Sequence, residues 1–240
     1  MEISLFIPCF IDQVFPETGI NTVKVLEKAG CKVDYNPAQT CCGQPALNAG
    51  FRDESKAIAG KFLNDFKGDR IVVTPSGSCA GMICTNYPDL FKNSVNHNLA
   101  NNLVARTFEL SEFLVDQLGV TDFGATFNHK VAYHDACGAL RECGIKSSPR
   151  KLLEKIKGLE LVEMPYSETC CGFGGTFAVK FEPISVSMAQ QKVDNALSVG
   201  AEYIVSTDSS CLMHIQAYID KHNLPITTIS IADILVQGWS

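Results

Sequence analysis

Short apolar runs alternate along the chain with longer segments in which apolar residues recur every three or four positions. Segment 16–29 is of the longer kind, because Val23, Leu26 and Ala29 share one helical face and Gly30 supplies a C-terminal stop. Segment 71–74 is a β-branched run that Pro75 ends. Alternation of this kind predicts an α/β fold, a mostly parallel sheet with helices on its faces.

The same series of elements is predicted twice along the chain. In the first half we expect strands at 3–8, 32–35 and 71–74, helices at 16–29 and 53–66, and a short strand or turn from residue 108 running into a helix through 118. In the second half we expect strands at 131–134, 159–164 and 203–206, helices at 149–157, 185–198 and 211–222, and a last strand-to-helix segment at 227–236.

The cysteines repeat with the elements. Each half contains a lone cysteine, an adjacent pair followed by glycine, and a final cysteine: Cys9, Cys41, Cys42 and Cys79, then Cys137, Cys170, Cys171 and Cys211. The intervals are 31 and 36 residues in the first half, and 32 and 39 in the second. The sequences that flank the cysteines repeat too, since residues 71–79 match residues 203–211 and residues 107–115 match residues 228–236. A duplication on this scale predicts two domains, 1–120 and 121–240, related by a pseudo-twofold axis and joined near 119–129.

Composition narrows the class of protein. The 240 residues are 46% hydrophobic and 19% charged, which argues against long disordered tails. A net charge of −6 without a Lys/Arg run makes nucleic acid and anionic membranes poor partners. The N-terminus has no secretory-signal pattern, and no apolar run approaches the roughly 18 residues of a spanning helix. We therefore expect a cytoplasmic protein without direct membrane insertion.

The chain has 11 cysteines, and in a reducing cytosol such a number points to metal binding or redox chemistry. The lone and final cysteine of each half follow predicted strands, whose carboxyl ends share one edge of a parallel sheet. Four thiolates at one place need a cation, and they suit either tetrahedral zinc or a [4Fe–4S] cluster. Adjacent cysteines point apart and so favour a cluster. Cys31, Cys84 and Cys143 have no counterparts, and we interpret them as structural.

Glycines and two polar residues accompany these cysteines. Gly43 and Gly172 allow a tight turn after each pair and expose backbone N–H groups toward sulfur. Gly174 and Gly175 continue that turn, and Phe177 breaks the spacing of a dinucleotide-binding loop. His134 and Asp135 lie at a strand end near Cys137, where they are candidates for a metal-supporting or proton-transfer role, or for a purely structural one.

Several stretches resemble the LutA/YkgE family of lactate-utilisation proteins, and more distantly the CCG-containing component of heterodisulfide reductase and the iron–sulfur component of glycolate oxidase, all with duplicated cysteine-rich "CCG" domains. These stretches are 40–46 (Thr-Cys-Cys-Gly-Gln-Pro-Ala), 75–79, 109–114, 133–135 and 170–177. The resemblance implies an iron–sulfur electron-transfer subunit of an oxidoreductase that oxidises L-lactate to pyruvate without NAD. It also implies two partners, a ferredoxin-type iron–sulfur subunit and a third small subunit.

The sequence departs from that family at three positions. Met82 and His214 stand where the full pattern has a last cysteine, which leaves four thiolates in each half and makes His214 a candidate additional ligand. Gly138 follows Cys137 where the family pattern has histidine. Zinc in the C-terminal half, a heterodisulfide- or glycolate-linked subunit, and a zinc-bearing structural subunit remain the alternatives.

Overall fold

The computed structural model, which describes residues 1–239, gathers the short apolar runs into two four-stranded parallel sheets. The N-terminal sheet has the order β2-β1-β3-β4 and the C-terminal sheet has the order β6-β5-β7-β8. The strands are β1 (Glu2–Leu5), β2 (Lys32–Tyr35), β3 (Val72–Thr74), β4 (Thr107–Glu109), β5 (Lys130–Tyr133), β6 (Glu160–Val162), β7 (Tyr203–Ser206) and β8 (Thr227–Ser230). The two orders are equivalent, which confirms the predicted duplication of an α/β fold.

Helices connect the strands and cover the sheets. In the N-terminal half they are α1 (Cys9–Val14), α2 (Pro16–Lys28), α3 (Gln44–Asn48), α4 (Arg52–Asp65), α5 (Gly77–Gly81), α6 (Tyr87–Leu90), α7 (His97–Val104) and α8 (Leu110–Glu112), with π turns at Met82–Asn86 and Phe113–Gln117. In the C-terminal half they are α9 (Ser147–Leu153), α10 (Thr176–Lys180), α11 (Glu182–Ser198), α12 (Ser209–His222) and α13 (Ile231–Ile234), with a π turn at Gly138–Glu142. None of the helices described is both long and apolar enough to cross a bilayer.

Side-chain alternation along the strands assigns each sheet face to a different core. Leu5 and Val73 face a core shared by both halves, and so do Tyr133 and Val205 of the second sheet. The opposite faces, represented by Val72 and by Ile204, face cores that belong to one half alone. Because apolar burial is the main driving force of folding, the shared core makes the two halves one unit of stability.

The segment that joins the halves is packed rather than exposed. Phe123, Ala125 and Phe127 are buried in the shared core. Thr126 forms an isolated parallel bridge with Lys157, so the chain at 157 is extended. The helix predicted over 149–157 is therefore Ser147–Leu153 in the structure. The predicted boundary between domains at residue 120 stays a prediction.

A close approach of backbones holds the halves together at two related places. α5 packs against the π turn at Gly138–Glu142, and α12, its counterpart in the second half, contacts α1, the counterpart of that turn. A Cβ on Gly138 would lie 2.7 Å from Cα of Ser78, and one on Gly77 would lie 2.6 Å from Cβ of Ala139. Gly138 is thus required by the close packing between the halves.

Candidate metal centres

The four motif cysteines of the N-terminal half lie at the carboxyl edge of its sheet. Cys9 begins α1 after β1, and Cys79 lies on α5 after β3. Sγ of Cys42 is 3.4 Å from Sγ of Cys79. The thiol of Cys41 interacts with those of both Cys9 and Cys42. The thiols therefore form one continuous chain in the order 9, 41, 42, 79, which we call the N-terminal centre.

The C-terminal half repeats this arrangement. Cys137 follows β5, and Cys211 lies on α12 after β7. Cys170 contacts both Cys137 and Cys171 through its thiol, and Cys171 contacts Cys211. These four thiols, in the order 137, 170, 171, 211, form the C-terminal centre. All eight motif cysteines predicted as ligands thus fall into two groups of four.

Such thiol groups cannot all ionise without a compensating charge. Hydrogen bonds from Cys42 and Cys9 lower the pKa of Cys41, whereas the contacts with Cys41 and Cys79 raise the pKa of Cys42 well above its ordinary value. The same division holds in the second half, where the pKa of Cys170 is lowered and that of Cys171 is raised. A bound metal removes this conflict, because each thiolate then faces a cation.

The glycine after each cysteine pair is required by the local backbone. Gly43 and Gly172 have φ of +90° and +95°, values that a residue with a Cβ rarely adopts. Their N–H groups donate to Sγ of Cys41 at 3.3 Å and of Cys170 at 3.4 Å. Backbone N–H donors of this kind stabilise negative sulfur and tune a metal centre. The turn continues through Gly174 and Gly175, both of which line the cavity at the C-terminal centre.

Each centre faces a cavity that is closed partly by the other half of the chain. The cavities measure about 240 Å³ at the N-terminal centre and about 140 Å³ at the C-terminal centre. One water needs on the order of 10–15 Å³ of such space, so there is room for a polynuclear group. Gln44 and Ser78 of the first half line both cavities, and so do Phe173 and Asp208 of the second. The two centres therefore lie on either side of a common wall.

His134 is the histidine that joins a cysteine group. One ring nitrogen of His134 and the Sγ atoms of Cys171 and Cys211 all lie within 4.8 Å of one another, and all three residues are buried. Neither ring nitrogen of His134 has a hydrogen-bond partner among the residues described. Burial and the nearby charge of Lys192 lower the pKa of His134 to about 4, so the ring is neutral near pH 7. A neutral imidazole is the form that binds metals.

The other predicted polar candidates have partners of their own. Both carboxylate oxygens of Asp135 accept hydrogen bonds of 2.8 Å from the guanidinium of Arg150. Nε2 of His214 lies 3.1 Å from Oγ and 3.3 Å from the backbone oxygen of Ser185. Met82 is fully buried in the N-terminal core. The structure thus brings His134 to the cysteines and commits Asp135 and His214 to bonds with protein groups.

Two features escaped the sequence analysis. Lys192 is fully buried, and its ammonium group donates to the backbone oxygens of Tyr166 and Ser167 and to Oγ1 of Thr169. A lysine at an otherwise apolar position of helix 185–198 was the available signal. The thiols of Cys84 and Cys143 lie next to each other between the halves, and each shifts the pKa of the other. Neither half contains both residues, so comparing the repeats could not reveal this pair.

Comparison with known proteins agrees with the duplication. The sequence model of the cysteine-rich CCG domain family matches this chain twice, at residues 3–84 and 131–216. Lactate utilization protein A of Oceanobacillus iheyensis is 44% identical over 98% of this chain and 96% of its own length. Lactate utilization protein A of Geobacillus kaustophilus is also 44% identical, over 98% of each chain. Lactate utilization protein A 2 of Bacillus cereus strain Q1 is 39% identical over the whole of both chains.

A solved structure shares the fold. The crystal structure of a hypothetical protein from Helicobacter pylori superposes with a TM-score of 0.63 at 14% sequence identity. The match covers 98% of this chain and 48% of that one, so this chain spans about half the length of the solved protein. At that identity the likeness concerns the fold alone.

Proposed function

This chain belongs to the lactate utilization protein A family and has two cysteine-rich CCG domains, and on that basis we propose that it carries electrons through iron–sulfur centres in an L-lactate-oxidising system. The observation that supports this most directly is the pair of continuous four-thiol chains, one in each half. Four cysteine thiolates are the usual protein ligands of a [4Fe–4S] cluster.

The chemistry of the donors fits such a group. Cys9, Cys41, Cys42 and Cys79 would hold the N-terminal cluster, and Cys137, Cys170, Cys171 and Cys211 the C-terminal one. When bound, such clusters accept and release single electrons. The chain's own residues supply the negative ligands, N–H donors from Gly43 and Gly172, and the cavity walls that both halves contribute around the sulfurs.

We assign the two parts of lactate oxidation, hydride removal and the onward transfer of electrons, to different subunits. Oxidation of lactate to pyruvate releases two electrons and two protons. The sequence contains no flavin or nicotinamide fingerprint, so hydride removal is assigned elsewhere. We assign to this chain the relay of those electrons, with a ferredoxin-type iron–sulfur subunit and a third small subunit as its partners. The complex would act as a NAD-independent lactate dehydrogenase in the cytoplasm.

The experiment begins with protein purified without oxygen. Iron, acid-labile sulfide and zinc are measured in the full chain and in Cys41→Ser and Cys170→Ser, with Cys84→Ser as the matched control outside both centres. We expect each motif variant to lose the iron of one half, and the control to keep both. In the system reconstituted with its partner subunits, lactate-dependent reduction should fall in both motif variants and stay unchanged in the control.

Other results would assign another function. Zinc without iron in both halves would show a structural metal protein. Iron centres that glycolate reduces and lactate does not would show a glycolate-linked subunit. Centres that turn over a disulfide substrate would place the chain with heterodisulfide reductases. Unchanged lactate-dependent reduction in both motif variants would remove the relay assignment altogether.

A further inference from the structure

The two halves differ at the strand end that precedes each lone cysteine. The backbone N–H of Phe6 donates to Val73 O at 2.9 Å, and the backbone N–H of His134 donates to Val205 O at 2.8 Å. Each residue stands three positions before the lone cysteine of its half. Phe6 and His134 are therefore structurally equivalent positions.

Phe62 and Lys192 are a second pair of structurally equivalent positions, because equivalent hydrogen bonds fix the helices on which they lie. Oγ of Ser55 donates to Gly43 O at 3.0 Å, and Oγ of Ser185 donates to Gly172 O at 2.8 Å. These bonds fix the register of α4 and α11 against the cysteine turns. Seven residues further along each helix stand Phe62 and Lys192.

In the N-terminal half these positions form an apolar aromatic contact. The rings of Phe6 and Phe62 meet edge to face with centroids 4.7 Å apart, and Phe66 packs on both. All of these rings are buried, and the packing leaves no polar atom to satisfy.

In the C-terminal half the same space holds an imidazole and an ammonium group. Leaving a buried polar group without a hydrogen bond costs about 1–3 kcal/mol, and the two ring nitrogens of His134 are both in that position. Lys192 satisfies its own group through three oxygens of the 166–169 segment, so it does not compensate His134. A metal held between the His134 ring, Cys171 and Cys211, whose ligand atoms lie within 4.8 Å of one another, would give one ring nitrogen a partner.

We propose that His134 is a metal ligand of the C-terminal centre, alongside Cys171 and Cys211, so that this centre has a nitrogen ligand that the all-thiolate N-terminal centre lacks. The proposal rests on the proposed function only in requiring a metal there. The imidazole adds no negative charge to that of the four thiolates, and the nearby Lys192 ammonium group offsets part of it, because it interacts electrostatically with Cys170, Cys171 and Cys211. The C-terminal centre should consequently have the higher reduction potential.

The test uses full-length protein in which only histidine is labelled with ¹⁵N. To isolate the C-terminal centre, the N-terminal one is removed by Cys41→Ser together with Cys42→Ser. If the bound metal is iron, pulsed EPR of the reduced protein should show a directly bonded histidine nitrogen whose coupling changes with the isotope. If it is zinc, X-ray absorption at the zinc edge should show one nitrogen among sulfur ligands.

Two variants of this background provide a second readout. His134→Phe copies the N-terminal half and should abolish the nitrogen signal and weaken metal retention about tenfold or more. His134→Gln keeps a polar side chain and should behave likewise. His214→Gln is the matched control, since His214 binds Ser185, and it should leave the signal intact. Circular dichroism and thermal melting confirm that each variant is folded.

The outcomes separate this inference from the proposed function. An all-sulfur metal environment in the histidine-labelled protein, or a nitrogen signal lost in His214→Gln and kept in His134→Phe, overturns the ligand assignment. A zinc site containing the His134 nitrogen supports the assignment while refuting an electron relay at the C-terminal centre. Iron centres that transfer electrons from lactate but have no nitrogen ligand support the electron relay and refute the assignment of His134 as a ligand.

Discussion

Asp208 of the C-terminal half accepts a hydrogen bond of 2.9 Å from the backbone N–H of Ser78 in the N-terminal half. The same carboxylate caps α12 by accepting from the backbone N–H of Ser210 at 3.2 Å. Ser78 immediately precedes Cys79, and α12 carries Cys211. One buried side chain therefore holds the final cysteines of both centres in place.

Replacing Asp208 should weaken both centres together. Asp208→Ala removes a helix cap, which costs about 0.5–2 kcal/mol, and a charge-assisted hydrogen bond, which is worth about 1.5–3 kcal/mol. We expect the free energy of unfolding in urea to fall by about 3 kcal/mol and metal retention to fall in both halves. Ser230→Ala removes the cap of α13 within one half and should cost only about 1 kcal/mol. Equal losses in the two variants would contradict a link between the halves.

The turn after the C-terminal cysteine pair should not tolerate a methyl group. A Cβ at Gly172 would lie 2.6 Å from Ser185 O and 2.9 Å from Cβ of Met188. Gly50 has a similar φ of +91° but open space around it. Gly50→Ala should therefore cost only the left-handed backbone strain of about 1–2 kcal/mol, whereas Gly172→Ala should cost more and release metal from the C-terminal half. Equal unfolding free energies and metal contents in the two variants would show that the contact with α11 is unimportant.

Replacing the buried Lys192 should lower the free energy of unfolding more than replacing the exposed Lys61, although both lysines donate to backbone oxygen atoms before a cysteine pair. Lys192 binds the segment before Cys170, and Lys61, which is exposed, donates to Ala38 O before Cys41 at 2.7 Å. Lys192→Met leaves buried oxygens without a donor, so we expect a loss of about 2–3 kcal/mol in unfolding free energy. Lys61→Met should change it by less than about 1 kcal/mol. A larger effect at Lys61, measured by urea unfolding, would reverse this ranking.

Glu109 should make stability depend on pH. The side chain is fully buried, and desolvation raises its pKa from 4.5 to about 7 despite hydrogen bonds from Ser111 and Glu112. The folded state then holds a proton that the unfolded state releases, so unfolding becomes easier as pH rises from about 4.5 to about 7, by roughly 3 kcal/mol in all. Glu109→Gln stays uncharged and should lose this slope.

Urea unfolding of the wild type and Glu109→Gln at about pH 5 and about pH 8 measures that effect. The variant should gain on the wild type by roughly 3 kcal/mol between the two values. Glu54→Gln, on the exposed face of α4, is the control and should give parallel curves. A gap between Glu109→Gln and the wild type that is independent of pH would show that Glu109 is ionised throughout.

The sequence predicted the architecture well because its signals are local. The β-branched run before Pro75 and the helical spacing from Val23 to Ala29 each specify an element without help from distant residues. The short helices α1, α3 and α5 were missed, because five or six residues carry too little periodicity. Each begins close to the end of a strand or of a cysteine turn: α1 follows β1, α3 follows Gly43, and α5 follows β3.

The candidate sites were predictable only as far as the repeat extended. Matched spacing identified all eight motif cysteines and both turn glycines. It gave no reason to prefer His134 over His214, since that choice depends on which face of the sheet and which helix each ring reaches. The partner of Asp135 was equally hidden, because Arg150 lies fifteen residues away on α9. Contacts of this kind are set by tertiary packing, so the pattern of apolar and polar residues along the sequence gives no sign of them.

The two-sided contact of α5 with Gly138–Glu142 and of α12 with α1 has an evolutionary consequence. Because each half covers the other's cysteines in equivalent ways, an ancestor of half the length could have built the whole arrangement as a symmetric homodimer. In such a dimer every substitution occurs twice, so both centres must stay identical. Joining the two copies in one chain removes that constraint, which is why a phenylalanine at position 6 can coexist with a histidine at position 134.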